Sequence, residues 1–241
     1  MLIPLLIIQT LLSVGMPSEP AVAAQVWSAT LHQVVVVKAS TLMPPPLQRQ
    51  ILHYRQEILR GCLDVMRDGD AAGNDARGIS AACEELIDAL DSRTPFSRTC
   101  YLLGRLSALV AEYDPPVEIA GGTPDGSLWR EFAEFVESEY STFPLVINRE
   151  GEGYLLKGSL SGYLDYVARR NADRRAALRR ALSGEEPVRW RDQRSLTYGL
   201  ASLVYNDMVL DTARLWLFVW QQAGGGVGDA PYFKLRPAES K

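Results

Sequence analysis

A near-continuous apolar run that stops at two adjacent prolines constrains this chain more than any other stretch. Residues 99–118 read TCYLLGRLSALVAEYDPPVE, and only Arg105, Glu112 and Asp114 carry charge before Pro115. Thr94 followed by Pro95 supplies a helix start, and Pro115 forbids continuation. The spacing predicts one helix of roughly five turns, apolar nearly all round and hence central. Gly104, Ser107, Ala108 and Ala111 cluster within about two turns of it, so a neighbouring backbone or a ligand can approach closely there.

Helical spacing recurs on both sides. Trp27, Leu31, Val34, Val35 and Lys38 keep a helical period over Trp27–Thr41, which makes the brief Val34–Val37 run helix rather than strand. Pro44-Pro45-Pro46 opens a second helix over Leu47–Met66, and Ile79–Asp91, Leu128–Tyr140, Ser161–Leu182 and Leu196–Gln222 complete the set. With no convincing alternating strand, the expectation is an all-α, single multi-helix domain over residues 25–223. Ser141–Ser159 is broken by Pro144, Gly151, Gly153 and Gly158, and reads as an irregular rim or lid. In 68–78, DGDAAGNDARG, Ile79 stands where a calcium loop needs its bidentate glutamate, so the stretch is an acidic turn. Residues 224–241 read as a flexible C-terminal tail.

The first 24 residues carry an apolar run, Leu2–Val14, and end in Ala21-Val22-Ala23-Ala24, a pattern suited to signal peptidase. Export to the periplasm or the extracellular space is therefore expected, with an uncleaved anchor as the alternative. Removing those residues takes away one charge, Glu19, and moves the net charge from −4 to −3, which gives no bulk attraction for nucleic acid. Cys62, Cys83 and Cys100 are an odd set without a Cys-x-x-Cys pair, which excludes a thiolate zinc site and leaves any disulfide pairing open. In the last helix Asp207, Asp211 and Arg214 would be costly at mid-bilayer, so that helix is core rather than membrane span. The two aspartates share a face as carboxylate ligands or, more economically, as partners of Arg214 or Arg105. Arg169, Arg170, Arg174, Arg175, Arg179 and Arg180 spread around the circumference of 161–182 as on a solvated helix. With Arg189, Arg191 and Arg194 they make a basic end suited to an anionic ligand or a protein partner.

Leu103-Gly104 followed by Pro116, together with Trp27, His32 and Ala39 at their spacing, resembles the zinc-dependent phospholipase C and single-strand nuclease family. The resemblance covers most of the mature chain. It implies the helical fold of that family and, at its metal positions, His32 and Asp64, with Glu112 and Glu118 standing where an aspartate and a histidine are expected. Ala108 stands where the family has its first central histidine. On the Leu128–Tyr140 helix, where the family has a histidine and an acid four residues on, the register pairs either Trp129 with Ala133 or Arg130 with Glu134. His32 reads as a metal ligand or as a hydrogen-bonded core histidine, and His53 as a surface residue.

A three-zinc site of the kind the resemblance implies needs about five histidines, and this chain has His32 and His53 alone. Two functional expectations follow, both resting on the resemblance. One is an exported phospholipase C-like pseudoenzyme that binds a partner or ligand without catalysis and needs no cofactor. The other is a metal-dependent phosphodiester hydrolase whose reduced site of His32, Asp64, Glu112 and Glu118 holds one or two harder divalent ions. Nucleophile-elbow, phosphate-loop and dinucleotide fingerprints are absent.

Overall fold

The structure, a computed structural model, describes residues 27–68, 75–115 and 125–234. Among these the chain forms α1 (Ala29–Ser40), α2 (Pro45–His53), α3 (Arg55–Asp68), α4 (Ala76–Asp91), α5 (Phe96–Ala111) and α6 (Asp125–Glu139). After a 3₁₀ turn at Tyr140–Thr142 come α7 (Glu152–Leu156), α8 (Leu160–Gly184), a second 3₁₀ turn at Pro187–Arg189, α9 (Leu196–Gln222) and α10 (Pro231–Lys234). The described residues include no strand, and the fold class is all-α. The leader expected at 1–24, the acidic turn at 69–74 and the stretch 116–124, which holds Pro116 and Glu118, lie outside the described residues.

Two helices carry the core. α5 packs against α1, α3, α4 and α9, and α9 packs against α1, α4, α5, α6, α7 and α8. Apolar side chains on most sides of each helix are what this double role requires. Trp216 of α9 donates its ring N–H to the Leu103 carbonyl of α5 at 3.1 Å, which ties the pair together. α5 starts at Phe96, just after the Thr94-Pro95 signal, because the Thr94 N–H is used to close α4: it donates to the Ala89 carbonyl at 2.9 Å around Arg93, at φ 56°. That bond and the left-handed residue form a Schellman end.

The small residues of α5 have a defined use. A side-chain carbon built on Gly104 would lie 1.9 Å from the Ile58 carbonyl oxygen, and one built on Gly61 of α3 would lie 2.0 Å from that of Tyr101. Each helix thus presents a glycine to the other's backbone, and the occupant of the close approach is α3 rather than a ligand.

Two expectations change. The helix foreseen over Leu47–Met66 is two, α2 and α3, broken at Tyr54 (φ −101°, ψ 34°). Neither proline nor glycine marks the break, so periodicity reads through it. The tail does not run free from residue 224. Ala230 and Tyr232 are buried, the Tyr232 N–H donates to the Leu42 carbonyl at 3.3 Å, and the Tyr232 hydroxyl accepts from Arg214 Nε at 2.9 Å.

Candidate functional site

The N-terminal end of α1 meets the C-terminal end of α5. Ser28 caps α1, its hydroxyl oxygen accepting the Leu31 N–H at 3.2 Å, while the hydroxyl donates to Glu137 of α6 at 2.6 Å. The neighbouring Trp27 donates its ring N–H to the Ala111 carbonyl at 3.2 Å and its backbone N–H to Glu112 Oε1 at 3.3 Å. His32 Nε2 lies 3.0 Å from the same oxygen. An ionised carboxylate only accepts, so Nε2 carries the hydrogen. His32 is 1% exposed and the Glu112 side chain 7%, and Nδ1 of His32 is buried with no hydrogen-bond partner among the described residues. A carboxylate at a helix C-terminus opposes the helix dipole, and the two convergent donors offset that cost.

Asp64, the other expected ligand among the described residues, has different partners. Ala108, one turn before Glu112, is fully buried in the core. Asp64 accepts the Tyr101 hydroxyl at 3.0 Å and lies 3.7 Å from Arg67. Glu118 lies outside the described residues. On α6, Trp129 is buried and Ala133 half-buried, whereas Arg130 and Glu134 are exposed, so the inward register is Trp129 with Ala133. Glu137 continues that line one turn on, which sequence reasoning missed. Its signal is the four-residue spacing Trp129, Ala133, Glu137. Among the described residues no three metal-ligating side chains converge. The three-zinc cluster implied by the resemblance does not fit these residues: the positions bearing on it supply an alanine methyl, a tryptophan, and a carboxylate oxygen already shared by two donors.

A second polar centre lies between α8 and α9. Arg170 grips Asp211 through both terminal nitrogens, at 3.1 and 2.6 Å, and approaches Asp207 at 3.4 Å. Asp211 also accepts from the Tyr163 hydroxyl at 2.6 Å and from Arg214 at 3.4 Å, and Arg174 reaches Asp207 at 3.3 Å. Burial pushes the Asp211 carboxyl up, but the Arg170 and Arg214 guanidinium groups outweigh it and hold that carboxyl below the usual aspartate range. At Asp207 burial wins, and the carboxyl is raised despite Arg170 and Arg174. This is a buried, mutually satisfied network whose groups are committed to one another.

The arginines of α8 are therefore not one solvated set. Arg170 points into the core, and Arg175 holds the segment leaving α5, donating to Asp114 Oδ1 and to the Pro115 carbonyl at 2.7 Å each. The economical reading of the two aspartates as ion-pair partners holds for Asp211 with Arg214; Asp207 pairs with Arg170 and Arg174, and Arg105 pairs with Glu85 at 3.7 Å. Arg169, Arg179, Arg180, Arg189, Arg191 and Arg194 remain exposed.

Cys62, Cys83 and Cys100 are buried as free thiols, each pushed up to about 12 first of all by burial, so none is a ready nucleophile. Among the described residues no helix is long and apolar enough to cross a membrane. No family model, no curated protein and no solved structure matches this chain.

Proposed function

We propose that this chain is an exported, phospholipase C-like helical protein that works by binding rather than by hydrolysis. The observation that supports it most is the Glu112 carboxylate, whose Oε1 is shared by the Trp27 N–H and the His32 ring. A carboxylate so placed fixes the α1–α5 junction, and the neighbouring Ala108 fills the core with a methyl group. The buried acids at 207 and 211 are likewise matched by arginines. The exposed arginines of the 169–194 region offer a surface for an anionic ligand or an acidic protein partner.

A second reading, a metal-dependent phosphodiester hydrolase with a reduced site, is favoured by the buried and unpartnered Nδ1 of His32. Hydrolysis assays separate the two. The mature protein, incubated with zinc, manganese or iron(II), is given bis-p-nitrophenyl phosphate, a phosphatidylcholine micelle and single-stranded DNA. The binding reading expects product formation at the rate of the metal-only control. Turnover that disappears in Glu112→Gln would establish the hydrolase.

A further inference from the structure

A cleft of about 450 Å³ opens between α6 and the turn that joins α8 to α9, and its lining includes none of Trp27, His32, Glu112, Asp207 or Asp211. Phe135 and Trp190 form its floor, their rings 5.9 Å apart and edge-on, and Pro187 and Val188 form one wall. Val188 is 80% exposed, the most exposed of the large apolar side chains among the described residues. Glu131 and Glu134, one turn apart on α6, form the opposite wall, exposed and with no ion-pair partner among the described residues. The one cation on the rim, Arg191, is held by Glu139 at 3.2 Å. The cleft thus joins an aromatic floor, an exposed aliphatic wall and two glutamates that have no ion-pair partner among the described residues.

We infer that this cleft docks a basic segment of a protein partner, seating an arginine or lysine side chain. The methylene stem of such a side chain would lie along Val188 and Pro187 over the aromatic floor, while its cationic head meets Glu131 and Glu134. Stem and head are both matched, which neither a plain aliphatic group nor an anion would achieve. Arginine is the better fit, because a planar guanidinium bridges two carboxylates at helical spacing. The inference goes beyond the proposed function and is independent of whether Glu112 serves catalysis.

The test uses the mature protein and a fluorescein-labelled nonapeptide that alternates arginine with leucine, followed by anisotropy at 50 mM salt. The peptide is expected to bind saturably. Its citrulline counterpart, equal in shape and uncharged, should bind at least tenfold more weakly. The double variant Glu131→Gln/Glu134→Gln should lose at least tenfold in affinity, with reduced salt dependence. Val188→Ser should weaken binding several-fold while leaving the salt dependence unchanged, since it touches only the stem. All three residues are exposed, so thermal melts of the variants should match the parent. Equal binding to the parent and the double variant, or no saturable binding to the parent, would overturn the inference. So would sedimentation showing self-association that the double variant abolishes, because the occupant would then be a second copy of this chain.

Discussion

Glu112 accepts from two buried donors, and its removal has a calculable consequence. Glu112→Ala leaves the Trp27 N–H and His32 Nε2 without an acceptor, which costs on the order of 1–3 kcal/mol for a buried polar group; Glu112→Gln keeps an amide oxygen in place and should cost less. Urea denaturation monitored by circular dichroism gives both values, and equal losses would contradict the assigned role. The aspartates of α9 differ more sharply. Asp211→Asn strands Arg170 and Arg214 in the core and should cost about 3–5 kcal/mol near neutral pH. Because the folded Asp211 carboxyl lies below its ordinary value, its contribution is present above about pH 4, the unfolded range, and is lost as pH falls through the lowered value. The penalty of Asp211→Asn should therefore shrink in acid. Asp207 is raised, so its ionisation opposes folding: the favourable contribution is present below about pH 4 and is lost as pH rises through the raised value. Asp207→Asn should thus cost less than Asp211→Asn at neutral pH. Of these residues, the sequence made the pairing of Asp211 with Arg214 legible by spacing on one helix, whereas Arg170 was not, because its partner lies 41 positions away on another helix.

At the level of the helices, one glycine pair and one lone glycine invite opposite predictions. Gly61→Ala and Gly104→Ala each drive a methyl carbon to within about 2 Å of a backbone oxygen across the α3–α5 contact. Backbone cannot step aside as a side chain can, so each should cost at least the 1–3 kcal/mol typical of overpacking, roughly additive only if the helices do not separate. Gly199, exposed in the first turn of α9 with nothing near its missing side chain, should behave oppositely: Gly199→Ala should stabilise by about 0.5–1 kcal/mol. Thermal melts of the three variants would show it, and a stabilised Gly104→Ala would refute the close approach. The bounds of α9 match those read from the sequence, because an apolar run of that length followed by three glycines leaves little choice. The α2–α3 break was hidden for the converse reason, since a packing-driven bend at Tyr54 leaves no mark in composition.

At the scale of the whole molecule, helical periodicity, the want of an alternating strand and the family resemblance together led to the all-α class, while the C-terminal docking left no such signal. Glycines at 224–226 suggest a free end, yet Tyr232 places an aromatic ring in the core, and its hydroxyl oxygen accepts from a buried guanidinium. A chain ending at Ala223 should lose several kcal/mol of stability through the aromatic burial and the unpaired Arg214 donor; wild-type stability in that truncation would mean that the segment only rests on the surface. The candidate site was legible in part. The resemblance pointed to His32 and Glu112, which do meet, and to Asp64, which bonds Tyr101 and lies beside Arg67. It could not see that Glu112 is shared between donors 85 and 80 residues distant.

The binding account stands or falls most directly on metal stoichiometry. The protein, purified without chelator or affinity histidines and dialysed against zinc, manganese and iron(II), would be analysed by elemental mass spectrometry. The account predicts less than about a tenth of an equivalent of each metal, because a reduced pair of ligands holds such ions weakly. A stoichiometric metal that is lost in Glu112→Gln, with the fold intact by circular dichroism, would contradict it and establish the α1–α5 junction as a metal centre.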